Sequence, residues 1–131
     1  RREETKKTPQ NVLVVDDQPE IRNLMVEILK KMGYQVSTAC DGHDALTQFA
    51  LSRPDLVITG LTMPGLSGYQ LCQLIRGISS VSVLVMSAQM GAEDMAYRMG
   101  ADAFIPKPFD LEDLWAEIEE LLLETCSPIM A

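Results

Sequence analysis

A doubly wound α/β fold, a parallel sheet with helices on both faces, is predicted for this 131-residue chain on three observations. Short β-branched apolar runs alternate with segments whose apolar residues recur at helical spacing. The principal runs are apolar throughout rather than alternately polar, as strands buried on both faces are. Gly and Pro stand at the junctions where one period gives way to the other.

The first strand is Val12-Leu13-Val14-Val15. In the helix that follows, Ile21, Leu24, Met25, Ile28, Leu29 and Met32 repeat at helical spacing; Pro19 sits at its start, where a missing N–H costs nothing, and Gly33 stops it. Gln35–Ala39 reads as a second, weaker strand, and a helix over about 44–52 carries Ala45, Leu46, Phe49 and Ala50 on one face. Leu56–Thr59 is the third strand, followed by a Gly- and Pro-rich loop over 60–67 and a helix over 69–76 presenting Leu71, Cys72 and Ile75. Residues 81–86 make a fourth strand, 93–99 a short helix ended by Gly100, and Ala103-Phe104-Ile105 a fifth strand. The last helix starts at Asp110, whose side chain is expected to cap it while Asp113 reciprocates three residues later. It is expected to bury Leu111, Leu114, Trp115, Ile118, Leu121 and Leu122.

Residues 1–10 mix Arg1, Arg2, Lys6 and Lys7 with Glu3 and Glu4, have no apolar periodicity and reach Pro9 near their end, so they read as a tail or linker. One domain is expected over 11–124, and 125–131 as a C-terminal tail or the start of a linker. The chain opens on Arg1 rather than Met, which points to a segment of something longer or to processing.

Composition removes several function classes. Hydrophobic residues are 47%, charged residues 23% and aromatics 5%, the balance of a soluble domain packed on aliphatic side chains. Eleven basic against nineteen acidic residues leave a formal charge of −8, which repels phosphate backbones and argues against direct nucleic-acid binding. No apolar run approaches the roughly 18 residues of a membrane span, and no signal segment opens the chain, so a cytoplasmic location is expected. Cys40, Cys72 and Cys126 are odd in number and widely spaced, fitting reduced thiols that act as small hydrophobes rather than a disulfide framework or zinc site. His43, the only histidine, stands among Asp41, Gly42 and Asp44 at a helix start and reads as a solvated turn residue.

In an open parallel sheet the functional crevice lies at the carboxyl ends of the strands. Strand one ends in Asp16-Asp17, strand three in Gly60 followed by Leu61 and Thr62, strand four in Ser87-Ala88, and strand five runs into Lys107-Pro108-Phe109. Paired acids are hard oxygen ligands suited to Mg²⁺, and a lysine and a hydroxyl opposite them suit an oxyanion such as a phosphoryl group. Each has a plainer reading. The two aspartates also suit the positive end of the next helix, Ser87 an ordinary turn, and Lys107 a surface cation paired with Asp16 or Asp17. Their joint arrival at successive strand ends favours a site.

Val14-Val15-Asp16-Asp17, Met63-Pro64-Gly65 with Gly68, Ser87-Ala88 and Lys107-Pro108-Phe109 resemble the receiver domains of bacterial response regulators, over about 11–124. The resemblance implies a flavodoxin-like (βα)5 three-layer sandwich with strand order 2-1-3-4-5. It implies Mg²⁺ held by Asp17, by Asp16 partly through water, and by the backbone carbonyl of Thr62. A histidine kinase would supply phosphate to an aspartate ending strand three, with Ser87 and Lys107 reading the phosphoryl group and Phe104 at the aromatic switch position. Helix four, strand five and helix five would form the face for an output domain or a homodimer, with Met90, Met95 and Met99 near it.

One residue departs from the pattern. Alignment places Gly60 where the phosphoacceptor belongs, and glycine has no side chain to carry an acyl phosphate. Thr59 points to the other face and Asp55 lies at the far end of the strand. Losing that carboxylate also weakens the implied Mg²⁺ site. Two readings follow: an atypical receiver that signals by phosphorylation-independent protein–protein interaction, which carries more weight, and a phosphorylatable receiver with an introduced substitution at Gly60. A small Mg²⁺-dependent phosphate-handling enzyme stands further off. It needs a nucleophile or a phosphate-cradling loop, and where a phosphate loop beginning at Gly60 would require Lys the chain has Leu66.

Overall fold

The computed structural model describes the backbone of residues 10–126 and the side chains of 10–122. Its elements are β1 (Asn11–Val15), α1 (Pro19–Lys31), β2 (Gln35–Ala39), α2 (Gly42–Ser52), β3 (Leu56–Thr59), α3 (Gly68–Ile78), β4 (Ser82–Ser87), α4 (Ala92–Arg98), β5 (Ala103–Pro106) and α5 (Leu111–Cys126). The strands form one parallel sheet in the order β2-β1-β3-β4-β5. The expected alternation and strand order both hold. Residues 1–9 and 127–131 lie outside the described residues, and α5 runs two residues into the stretch expected as a tail.

The two-residue period of a strand distributes the core. Val12 and Val14, Leu56 and Ile58, Leu84 and Met86, and Ala103 and Ile105 pack with Met25, Ile28 and Leu29 of α1 and Leu114, Ile118 and Leu122 of α5. The alternate residues, among them Leu13, Val57, Val83 and Val85, pack with Ala45 of α2, Leu71, Cys72 and Ile75 of α3, and Ala92 and Ala96 of α4. Every residue of β3 and all but the first of β1 and β4 is buried, which is why those segments read as unbroken apolar runs. The edge strands β2 and β5 are half exposed.

Three expectations need correction. Leu111 and Trp115 are 53% and 39% exposed, because they lie one turn apart on a flank of α5 while its core stripe is Leu114, Ile118, Leu121 and Leu122. The capping box expected of Asp110 and Asp113 does not form, neither side chain making a hydrogen bond to the other's backbone among the described residues; the Asp110 carbonyl accepts the first bond of α5 from the Leu114 N–H at 3.1 Å, as it would in a capped helix. Cys40 is exposed at the end of β2, whereas Cys72 is a buried hydrophobe as expected. His43 is exposed in the first turn of α2, in line with a solvated residue.

Candidate functional site

The order β2-β1-β3 reverses the winding direction beside β1, which leaves a crevice past the carboxyl ends of β1, β3 and β4. An open pocket of about 470 Å³ lies there, lined by Asp16, Asp17, Gly60, Thr62, Ser87 and Lys107 together with Gln18 and Gln89. These include every predicted site residue except Phe104.

Asp16 is 2% exposed, and a carboxylate buried that far needs partners. Its Oδ1 accepts from the Gln18 N–H at 3.0 Å, and its Oδ2 receives the Lys107 ammonium at 3.3 Å. The two residues stand 91 positions apart and meet because β1 and β5 deliver both to the same end of the sheet. Asp17 is exposed, and among the described residues its carboxylate has no partner. Ser87, 6% exposed, accepts from the Gln89 N–H at 3.0 Å through Oγ, and the Lys107 N–H donates to the Ser87 carbonyl at 2.9 Å.

Gly60 closes the pocket floor. Its N–H donates to the Val15 carbonyl at 2.9 Å, tying it to the end of β1. A Cβ on residue 60 would stand 2.9 Å from Asp16 Oδ2 and 3.6 Å from its carboxyl carbon. That first separation is shorter than real Cβ contacts, so the Asp16 carboxylate occupies space that a side chain at position 60 would claim. Thr59 turns away; its hydroxyl donates to the Gly60 carbonyl at 2.8 Å. Asp55 sits at the opposite end of β3, where its Oδ2 accepts from the Asn11 N–H at 2.9 Å. The sheet therefore brings neither residue into the pocket as a substitute.

Phe104 lies on the α2–α4 side of the sheet, half-buried against the cluster that contains Val85 and Ala96. Met99 packs on the same cluster, while Met90 and Met95 are exposed. Sequence reasoning missed Gln89, which bonds Ser87 and also reaches Thr62 Oγ1 through Nε2 at 3.3 Å, bridging the loops after β3 and β4. It also missed Arg22, whose Nη1 donates to the Asp16 carbonyl at 2.7 Å. For Gln89 a signal was present, a polar residue two positions beyond a strand-end serine. For Arg22 there was none, since one basic residue on a helix carries no positional information.

Two carboxylates and a carbonyl at Thr62 are a hard-oxygen donor set that fits Mg²⁺, an ion that keeps several waters. The fit is incomplete, because both oxygens of Asp16 are engaged and no group of three His, Cys, Asp or Glu side chains able to hold a metal occurs among the described residues.

Known proteins similar to this chain in sequence and in fold agree on one family. The family model described as response regulator receiver domain matches residues 12–119. The protein named "Probable transcriptional regulator ycf27" from Cyanophora paradoxa is 38% identical over 122 residues, 92% of this chain and 51% of that protein. Protein PilG of Pseudomonas aeruginosa is 39% identical over 113 residues, 82% of this chain and 84% of PilG. The chemotaxis protein CheY4 of Vibrio cholerae superimposes with a TM-score of 0.81 at 28% identity, covering 87% of this chain and 99% of CheY4. The chain spans about half the length of the first curated relatives it matches.

Proposed function

The chain belongs to the response regulator receiver domain family, and on that premise we propose that it is an atypical receiver that signals by binding rather than by accepting a phosphoryl group. The observation that carries this reading is the Gly60 floor. No carboxylate projects from the end of β3, and the Asp16–Lys107 pair fills the space beside it. Without a phosphoryl group nothing draws Ser87 inward, so Ser87 and Phe104 lose their phosphate-driven coupling and the face made by α4, β5 and α5 rests in one population. Phe104 in its half-buried place suits such a resting state. The domain extends over 11–124 in this reading, acts in the cytoplasm, and meets a histidine kinase or other signalling protein, or an output domain, through that face. No helix among the described residues is long and apolar enough to cross a membrane.

The second reading, a phosphorylatable receiver with a substitution at Gly60, is favoured by the convergence of Asp16, Asp17, Ser87 and Lys107 on one pocket. Mapping the cognate partner by chemical-shift perturbation tests the first. Contacts are expected on α4, β5 and α5 without phosphodonor, and Tyr97→Ala or Phe104→Ala is expected to weaken association about tenfold, or ~1.4 kcal/mol. Contacts confined to α1 and α2 would overturn it.

The metal gives a separate expectation. Mg²⁺ would be held by Asp17, by Asp16 partly through water, and by the Thr62 carbonyl, where it would neutralise the acid pair. Lys107 already supplies a cation to Asp16, and residue 60 supplies no ligand. Calorimetric titration is expected to show weak binding, tightened about tenfold or more in Gly60→Asp, which adds a charged oxygen donor. Equal affinity in the two proteins would contradict this geometry.

A further inference from the structure

Asp16 is held at four of its polar atoms, and one of the four bonds comes from a residue outside the pocket lining. Its N–H donates to the Ala39 carbonyl of β2 at 3.2 Å, its Oδ1 accepts from the Gln18 N–H at 3.0 Å, and its Oδ2 receives the Lys107 ammonium at 3.3 Å. The fourth bond runs from Arg22 Nη1 to the Asp16 carbonyl at 2.7 Å. Arg22 stands half-buried near the start of α1, and among the described residues its guanidinium forms no ion pair. The charge is spent on a backbone carbonyl, and a charge-assisted bond of this length fixes direction as well as adding energy.

The start of α1 accounts for the arrangement. Gln18 occupies the N-cap position with no side-chain hydrogen bond to the helix, and the Asp16 carboxylate accepts the Gln18 N–H in its place. The Gln18 carbonyl accepts from the Arg22 N–H at 3.1 Å, and the Arg22 guanidinium returns to the Asp16 carbonyl. Three local bonds thus close a ring over residues 16–22 and pin Asp16 at carbonyl and carboxylate together. Lys107, 91 positions away, meets a carboxylate whose place is fixed within its own turn of chain. That carboxylate is the one that a Cβ on residue 60 would meet at 2.9 Å. We propose that Arg22 is the positioning residue of this pocket. Through the Asp16 carbonyl it keeps the carboxylate over Gly60 and within reach of Lys107, so the bare pocket floor is enforced from α1. This goes beyond the binding-module reading and holds whether or not the chain takes phosphate.

The test is a double-mutant cycle on the full chain, read by denaturant unfolding. Gly60→Ala sets one methyl against Asp16 Oδ2 and is expected to lower the folding equilibrium constant of the parent about tenfold. In Arg22→Gln the Asp16 carboxylate is free to turn aside, and the same methyl is expected to cost about threefold or less. A guanidinium that merely steadied α1 would leave the two costs equal. Arg22→Lys, which keeps the charge and a donor, is expected to restore most of the parent cost. Arg22→Met, which keeps the apolar stem, carries the comparison if Arg22→Gln does not fold. A second readout needs no unfolding. The nitrogen resonance of the Lys107 ammonium in isotope-labelled protein is expected to move toward that of a solvated lysine in Arg22→Gln or Arg22→Met. It is expected to stay in place in Arg98→Gln, whose pair with Asp94 is exposed. Equal Gly60→Ala costs with and without Arg22, or a Lys107 resonance that loss of Arg22 leaves in place, would each overturn the proposal.

Discussion

Incubation with Mg²⁺ and acetyl phosphate is expected to leave the mass of this chain unchanged, whereas Gly60→Asp is expected to gain one labile phosphoryl group. An acyl phosphate needs a carboxylate oxygen as nucleophile, and the pocket floor offers none from residue 60. The introduced side chain cannot simply be added. Its Cβ would stand 2.9 Å from Asp16 Oδ2, so the Asp16 carboxylate must rotate off its present position and loosen its 3.3 Å contact with Lys107. Lys107 is then available to the new carboxylate. Three acids would share one lysine, so Gly60→Asp is expected to be less stable than the parent by about 1–2 kcal/mol without metal, and to recover with Mg²⁺. Gly60→Asn, close in shape but not a nucleophile, is expected to stay unmodified. Intact-mass spectrometry decides the first point and thermal unfolding with and without Mg²⁺ the second. Phosphate on the parent chain would overturn the atypical reading. A Gly60→Asp protein that folds but takes no phosphate would show that the pocket has diverged beyond one residue.

Much of this arrangement was legible in the sequence, for identifiable reasons. β2 and β3 begin and end where their residue patterns change, and β1, β3 and β4 read as buried strands because both their faces meet helices. Asp16, Gly60, Ser87 and Lys107 could be brought to one pocket because a parallel sheet places every strand end on the same side. What failed was flank assignment. Trp115 and Leu111 lie beside the core stripe of α5, and an apolar residue there looks the same in sequence whether or not another helix covers it. The pairing of Lys107 with Asp16 stood among the plainer readings, but its consequence did not. That Asp16 Oδ2 fills the space beside Gly60 depends on separations of tenths of an ångström between strands, which no periodicity records.

Two glycines of α3 are expected to respond to alanine in opposite directions, and the difference bears on the pocket. Gly68 is the first residue of α3, and its N–H donates to the Leu61 carbonyl at 2.8 Å. A Cβ there would run into the Gly60 carbonyl oxygen and stand 2.8 Å from Leu61 Cα. Those atoms are backbone, so no side-chain rotation relieves the overlap. Either the start of α3 lifts or the Gly60–Leu61 peptide moves, and with it the pocket rim at Thr62. Gly68→Ala is therefore expected to cost about 3 kcal/mol, the upper range for overpacking, and to lower the melting temperature by roughly 10 °C. Gly77 lies near the other end of the same helix and has nothing within 4 Å of its would-be Cβ. There Gly77→Ala removes unfolded-chain entropy without strain, and is expected to stabilise by about 0.5–1 kcal/mol. Denaturant unfolding of the two variants compares them at equal chemistry, one added methyl in one helix. Similar effects at both positions would mean that α3 does not press on the Gly60–Leu61 backbone. If the opposition holds, the closeness of α3 to that peptide is what fixes the pocket floor, and the absent side chains at 60 and 68 are two parts of one packing solution: the first leaves room for Asp16, and the second lets the helix seat the strand end that carries it.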